Sequence, residues 1–281
     1  MDDHIRLSIR QPITRGGLLR VCCKSFSRAI VLILFLHGIR CVAGPVDLLE
    51  RAGQQVSGFL DQFSQLKCTE EVTQTKLVKK LTKESIEYRE QQTFDYLVLA
   101  QGSGDDLVIQ ESRLQQKSSE HKKNVPLLVT NGFATLSLVF HPYYQQAFNF
   151  DTPQEDIVNG KKLAKIHFQH VKGRRSPTVL LLRGREYPLE LKGTAWIDPE
   201  SASIVRMQAE LEDDMSDIGL HSFNTEIEYA PVHLRGMSST PWLPSLATIE
   251  LETAKQRWRN IHRFTNYQQF SVSTDESVKT Q

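Results

Sequence analysis

The stretch Gly193 to Leu211, GTAWIDPESASIVRMQAEL, alternates apolar and polar residues on either side of Asp-Pro-Glu-Ser. Val205, Met207, Ala209 and Leu211 share one parity; Ile204, Arg206, Gln208 and Glu210 share the other. A period of two around a turn signal predicts a hairpin with one buried face. The same alternation runs through KKLAKIHFQHV, where Ala164, Ile166 and Phe168 share a face. In SFNTEIEYAPV, Phe223, Thr225, Ile227 and Tyr229 oppose Asn224, Glu226 and Glu228. SIEYREQQTFDYLVL, its return strand DLVIQESRL, the apolar TVLLLRGR, LATIELETAKQRW and FTNYQQFSV add further strands. TEEVTQTKLVKKL alternates only loosely.

Two segments break the period. Over residues 46–66, Val46, Leu49, Val56, Phe59, Leu60, Phe63 and Leu66 recur at three- and four-residue spacings, which predicts an amphipathic helix with Pro45 in its first turn. In VPLLVTNGFATLSLVFHPYYQQAF, Phe133, Leu136, Phe140, Tyr143 and Tyr144 take helical spacing from a cap at Thr130 or Asn131. Pro142 disfavours helical geometry at His141, so this helix should break near Phe140. Strands run on strands without βαβ alternation, so the sheet should be antiparallel with one wet face. The expectation is an α+β fold. A strongly curved antiparallel sheet of about ten strands curls with its apolar face inward, and the N-terminal helix and a mid-chain helical plug cover that concave face.

Composition adds a compartment. Of 281 residues, 40% are hydrophobic and 24% charged, the usage of a globular chain. Seven Lys/Arg and two acids fall in residues 1–43, leaving 27 bases against 31 acids in the rest. An acidic body is not built to coat nucleic acid. The basic residues up to Arg28 lead into AIVLILFL, an apolar run of eight residues, far short of the roughly 20 that span a bilayer. Basic, apolar and small-residue regions in that order describe a secretory signal peptide with cleavage after Ala43. The organisation expected is a signal peptide over 1–43, one domain over 44–272 and a polar tail over 273–281, in the periplasm or cell envelope. A lipid anchor at Cys41 is not expected, because Gly38 and Arg40 depart from a lipobox. Cys68 alone remains, read as a half-buried thiol on a strand that has no disulfide partner.

Catalytic signatures are missing: no GxSxG, HExxH, GxxxxGK[ST] or GxGxxG occurs. His167 and His170 lie three apart on a strand and so face opposite ways, which prevents them from sharing a metal. His141 reads as a ring among aromatics, His262 as surface or sheet edge, and the acidic run Glu210 to Asp217 as a solvated loop. Arg257, Arg259 and Arg263 flank Trp258, yet sheet packing is the ordinary reading for an acidic domain. The chain reads as a binding protein rather than an enzyme, with no cofactor and no metal.

The first helix leading into QLKCTEEVTQTK, the NGKKLAKIHF strand, the GTAWIDPESASIVRMQAEL hairpin and WLPSLATIEL with its aromatic strand together resemble the LolA/LolB-like half-barrel, over roughly residues 46–272. That family includes periplasmic lipoprotein carriers, an outer-membrane lipoprotein receptor and the sensor-binding protein RseB. The CTE, TNGF and FHPYY segments also resemble exported proteins of acidobacterial type. The resemblance implies a pocket for the acyl chain of a lipid or lipoprotein, with peripheral membrane contact. Its candidate lining and lid are Phe133, Leu136, Phe140, Ile166, Phe168, Ile197, Val205, Met207, Leu211, Ile227 and Tyr229. Sheltering one sixteen-carbon chain from water is worth on the order of 12 kcal/mol at about 0.8 kcal/mol per CH₂, so the lid, Thr130 to Phe140, must move for release. The alternative on the same scaffold is a non-enzymatic interaction or sensory module. It fills the face with its own Phe133, Leu136 and Phe140 and binds an envelope protein through its edges.

Overall fold

The computed structural model describes residues 5–7, 45–63, 66–80, 83–101, 108–115, 136–182, 185–235, 240–254 and 256–269. The expected signal-segment core, the polar stretch Gln115 to Asn124 beyond its first residue, the lid residues 130–135 and the tail lie outside them. Within them the chain is mostly β. Strands β2 (Leu66–Lys80), β3 (Lys83–Gln101) and β4 (Val108–Gln115) follow helix α1 (Pro45–Phe63). After a 3₁₀ turn (Ser137–Phe140) and the short α2 (Pro142–Gln145) come β5 (Phe148–Phe150), β6 (Gln154–Val158) and β7 (Lys161–His170). The second half holds β8 (Val179–Leu182), β9 (Arg185–Pro188), β10 (Leu191–Ile197), β11 (Ile204–Leu211), β12 (Leu220–Pro231), β13 (Trp242–Thr253) and β14 (Arg257–Gln269).

Eleven strands form one antiparallel sheet in the order β4-β3-β2-β14-β13-β12-β11-β10-β7-β5, with β6 also on β7. The other three, β1 (Ile5–Leu7), β8 and β9, form a small separate sheet. The apolar strand expected over TVLLLRGR is therefore only the first arm, β8, of an antiparallel pair with β9. Similarly, LATIELETAKQRW is two strands: Thr253 and Gln256 close a turn, their backbones bonded at 2.8 Å, so β14 begins at Arg257.

The register explains how a two-residue period becomes a core. Ile166 pairs with Ala195, Ala195 with Met207, Met207 with Ile227 and Ile227 with Ala247, one apolar row across five strands. The neighbouring row runs Phe168, Gly193, Ala209, Thr225, Ile249. A Cβ on Gly193 would lie 2.0 Å from the Gln208 carbonyl oxygen and 2.6 Å from Phe168 Cζ, so only glycine lets the strands and the Phe168 ring close up here. Asn159 and Gly160, with φ of 51° and 78°, make the tight turn between β6 and β7.

The hairpin departs from expectation at one residue. Trp196 pairs with Arg206, but Ile197 pairs with Ile204, leaving Val205 as an extra residue in β11. A bulge of this kind shifts the alternation by one. Ile204 is therefore buried and joins the core, whereas Val205 is half-buried and outside it. Met207, Ala209 and Leu211 keep the expected side.

α1 covers this face with Leu48, Ala52, Val56 and Leu60, a stripe of i, i+4 positions. Against it sits the mid-chain segment. The helix breaks where Pro142 demands: His141 is extended, with φ −62° and ψ 135°, and its Nδ1 accepts the Tyr143 N–H at 3.3 Å. Leu138, Val139 and Phe140 are fully buried.

Candidate functional site

The apolar sheet face and its helical cover bring most of the sequence-predicted residues together. Leu136, Phe140, Ile166, Phe168, Ile197, Met207, Leu211, Ile227 and Tyr229 are all buried in a single core cluster. Phe133 lies outside the described residues, and Val205 is displaced by the bulge. The cover fits by shape and by a few polar contacts. The Phe140 ring packs at 5.2 Å from Phe150 and 6.2 Å from Phe168. Gln145 Nε2 donates to the Leu49 carbonyl at 2.9 Å and to the Phe140 carbonyl at 2.7 Å, tying α1 to the 3₁₀ turn. Arg51 donates from α1 to the carbonyls of Pro199 and Glu200, in the β10–β11 turn, at 3.2 and 2.5 Å. Burial pushes the Tyr229 hydroxyl pKa up, and its hydrogen bond with Ser137 offsets only part of this.

Where this cover meets the sheet, a hollow of about 90 Å³ remains between Val56, Gly58, Phe59, Ile204, Tyr229 and Trp242. Its walls are apolar at Val56, Phe59, Ile204, Pro241 and Trp242 and polar at Gln55, Ser137 and Ser203, and it lies over the bulge. Sequence reasoning missed it, because Ile204 was assigned to the outer face. A larger hollow, about 660 Å³, opens on the opposite, polar face around His167, Thr194 and Gln208. The larger space is thus not the apolar one.

The same inner face carries a buried polar group at its β4 end. Arg113 Nε and Nη2 donate to the two oxygens of Glu70 at 2.5 and 2.8 Å, and His262 Nδ1 lies 2.8 Å from Glu70 Oε1. The Glu70 side chain is 0% exposed and that of His262 1%. The Arg113 guanidinium spans β3 by stacking on the Tyr96 ring at 5.1 Å, and Glu111 lies 3.7 Å from it. Burial alone would raise the Glu70 pKa; the Arg113 charge and the hydrogen bonds from His262 and Arg113 outweigh it and hold the carboxyl below its ordinary value. At His262 burial wins over the pull of Glu70, so the ring titrates below its ordinary range. His262 is therefore not at the surface or a sheet edge, as its polar neighbours suggested. It shares a parity with Asn260 and Phe264, a signal that the alternation of β14 carries.

Cys68 is buried on β2, more completely than the half-buried thiol expected, and burial pushes its pKa up to about 12, an inert thiol rather than a nucleophile. His167 and His170 do point to opposite faces: His167 is exposed and bonds Thr194 Oγ1 at 2.8 Å, while His170 is buried against Phe148 at 5.1 Å. Among the described residues no three His, Cys, Asp or Glu side chains gather as a metal site, and no helix is long and apolar enough to cross a membrane.

No family model and no curated protein matches the chain. Solved structures do. A DUF1329 family protein from Desulfovibrio piger aligns with TM-score 0.39 and 11% identity over 81% of this chain and 94% of that one. A LolA superfamily protein from Nitrosomonas europaea aligns with TM-score 0.33 and 9% identity over 82% and 95%. A candidate outer membrane lipoprotein-sorting protein domain from Vibrio parahaemolyticus aligns with TM-score 0.38 and 11% identity over 81% and 94%. These are structural matches at low sequence identity.

Proposed function

We propose that this is a non-enzymatic binding protein of the cell envelope, with residues 1–43 as export signal and 44–272 as the working domain. It shelters an acyl chain, of a lipid or a lipidated protein, between the apolar sheet face and a lid made of α1 and the mid-chain helices. The observation that carries this reading is the apolar hollow of about 90 Å³ at the seam between lid and sheet. It is where a chain end can enter without first breaking a strand pair. The face behind it is occupied by Leu138, Val139 and Phe140, so a longer stretch of acyl chain must displace them, and the sheet must wrap the chain as the lid swings. Polar ties from the lid to the sheet include Arg51 to the β10–β11 turn and Ser137 to Tyr229, and a carrier needs both a closed state and a releasable one.

The filled face favours a second reading, in which the lid never opens and the domain binds a protein partner through its strand edges. Uptake of a fluorescent fatty acid separates the two. An acyl-binding protein takes up the probe saturably. Gly58→Phe, which puts a ring into the seam hollow, should abolish uptake. Arg51→Ala, which removes the two bonds that tie α1 to the β10–β11 turn, should speed exchange. No uptake by the wild-type protein, or uptake indifferent to Gly58→Phe, would reject acyl binding at the seam.

A further inference from the structure

The hollow on the polar face lies outside the acyl-binding site proposed above. Its walls are two rows of side chains that the sheet register lines up across five strands. Gln169, Lys192, Glu210, Asn224 and Glu250 are successive partners on β7, β10, β11, β12 and β13. So are His167, Thr194, Gln208, Glu226 and Thr248. At the usual strand spacing each row spans about 19 Å, and the rows stand about 7 Å apart along the strands. The space between them, with Asn149 and Asp151 closing the β5 end, is the hollow of about 660 Å³. Its shape is that of a trough laid across the strands.

The chemistry of the walls selects the occupant. The carboxylates on β11, β12 and β13 are matched within the protein. Lys192 Nζ lies 3.6 Å from Glu210, Arg206 lies 2.6 Å from Glu226, and Arg257 and Arg259 lie 3.0 and 2.7 Å from Glu250. A charged polymer would have to compete with these pairs. An apolar ligand would strip water from amides and hydroxyls without replacing its hydrogen bonds. An extended peptide binds by pairing its backbone with a strand edge, whereas the five strands that carry the two rows, β7 to β13, are already paired on both sides, and the short β5 at the trough's end is the one edge strand there among the described residues. What remains, besides the Asp151 carboxylate at the β5 end, is a set of neutral donors and acceptors. The side chains of Asn149, Asn224 and Thr248 hold no hydrogen bond among the described residues, and His167 with Thr194 adds a hydroxyl–imidazole pair. Amides and hydroxyls that can both donate and accept suit a ligand that does the same at every unit.

We infer that the trough binds a neutral, hydroxyl-rich chain, an oligosaccharide lying across β7 to β13. The test is isothermal titration of the protein as purified from its host against maltohexaose, cellohexaose and chitohexaose. At least one should bind saturably. Combining Asn224→Ala with Thr248→Val should weaken it about tenfold, the loss of two neutral hydrogen bonds, with the melting temperature unchanged because both side chains lie on the solvent side. Salt should change the affinity less than about twofold, since no net charge is engaged. Saturation by none of the three, equal binding by the double variant, or a steep salt dependence would overturn the assignment. So would an equally tight fit of an uncharged Ser/Gly peptide. Because Gly58→Phe acts on the other face, it should leave sugar binding intact, and the two sites stand or fall separately.

Discussion

Arg113 and Glu70 make a sharp test of the inner face, because each single loss removes the other's closest charged partner. Glu70 has no exposed side-chain surface and takes two bonds from Arg113, at 2.5 and 2.8 Å. Arg113→Met leaves a buried carboxylate with His262 as its remaining described partner, and breaking a buried pair this way costs about 3–5 kcal/mol. Against a typical domain stability of about 5–15 kcal/mol, that is a large share. Glu70→Met leaves the guanidinium with Glu111 at 3.7 Å and the Tyr96 ring, so its cost should be the smaller of the two. The double variant Glu70→Met/Arg113→Met removes both charges of the pair, while Glu111 loses its Arg113 neighbour in the double as it does in Arg113→Met alone. Its cost should therefore fall short of the sum of the two single costs by about 1–3 kcal/mol, a coupling that contacting groups show. Urea unfolding followed by the three tryptophans reads all four proteins, with an unchanged m-value as the check on two-state behaviour. An Arg113→Met cost below about 1 kcal/mol, the scale of a surface pair, would refute the buried assignment. So would a double variant whose cost equals the sum of the singles.

The same cluster sets a pH dependence. His262 titrates below its ordinary 6.5 and Glu70 below its ordinary 4.5 in the folded protein. Both folded values are depressed, so their contribution is whole above pH 6.5 and is lost as pH falls, His262 first. Thermal melts across that range should show the loss, and His262→Gln, which keeps a donor for Glu70 but does not titrate, should flatten its upper part; an unchanged slope would contradict this. A Cβ at Gly193 has nowhere to go, so Gly193→Ala should destabilise by about 1–3 kcal/mol or more in the same melts. Gly58 has nothing within 4 Å of its would-be Cβ, so Gly58→Ala should instead stabilise α1 by about 0.5–1 kcal/mol.

The strands were legible wherever one face is wet. β12 alternates cleanly because Phe223, Ile227 and Tyr229 meet the core while Asn224 and Glu228 meet water. The bulge at Val205 was not legible, because an extra residue changes register without changing composition. Glu70 and Gln74 on β2 and His262 on β14 sit at core-parity positions with polar identities, so β2 read as only loosely alternating and His262 as surface or sheet edge. Burial there is decided by a partner from β4, more than forty residues further on in sequence, which no local window contains. Of the candidate site, the apolar rows on β7, β10, β11 and β12 followed from parity alone, and the break at His141 from Pro142. The seam hollow and the polar trough depend on how strands and helices meet, which periodicity does not encode.

Acyl binding under the lid is read out by native mass spectrometry of the protein purified from the envelope fraction of its own host, followed by solvent extraction. A stoichiometric acyl lipid or lipidated protein that exchanges into vesicles is expected. A clean mass of the polypeptide alone, with no uptake of a fluorescent fatty acid, would contradict it and leave the partner-binding module as the reading.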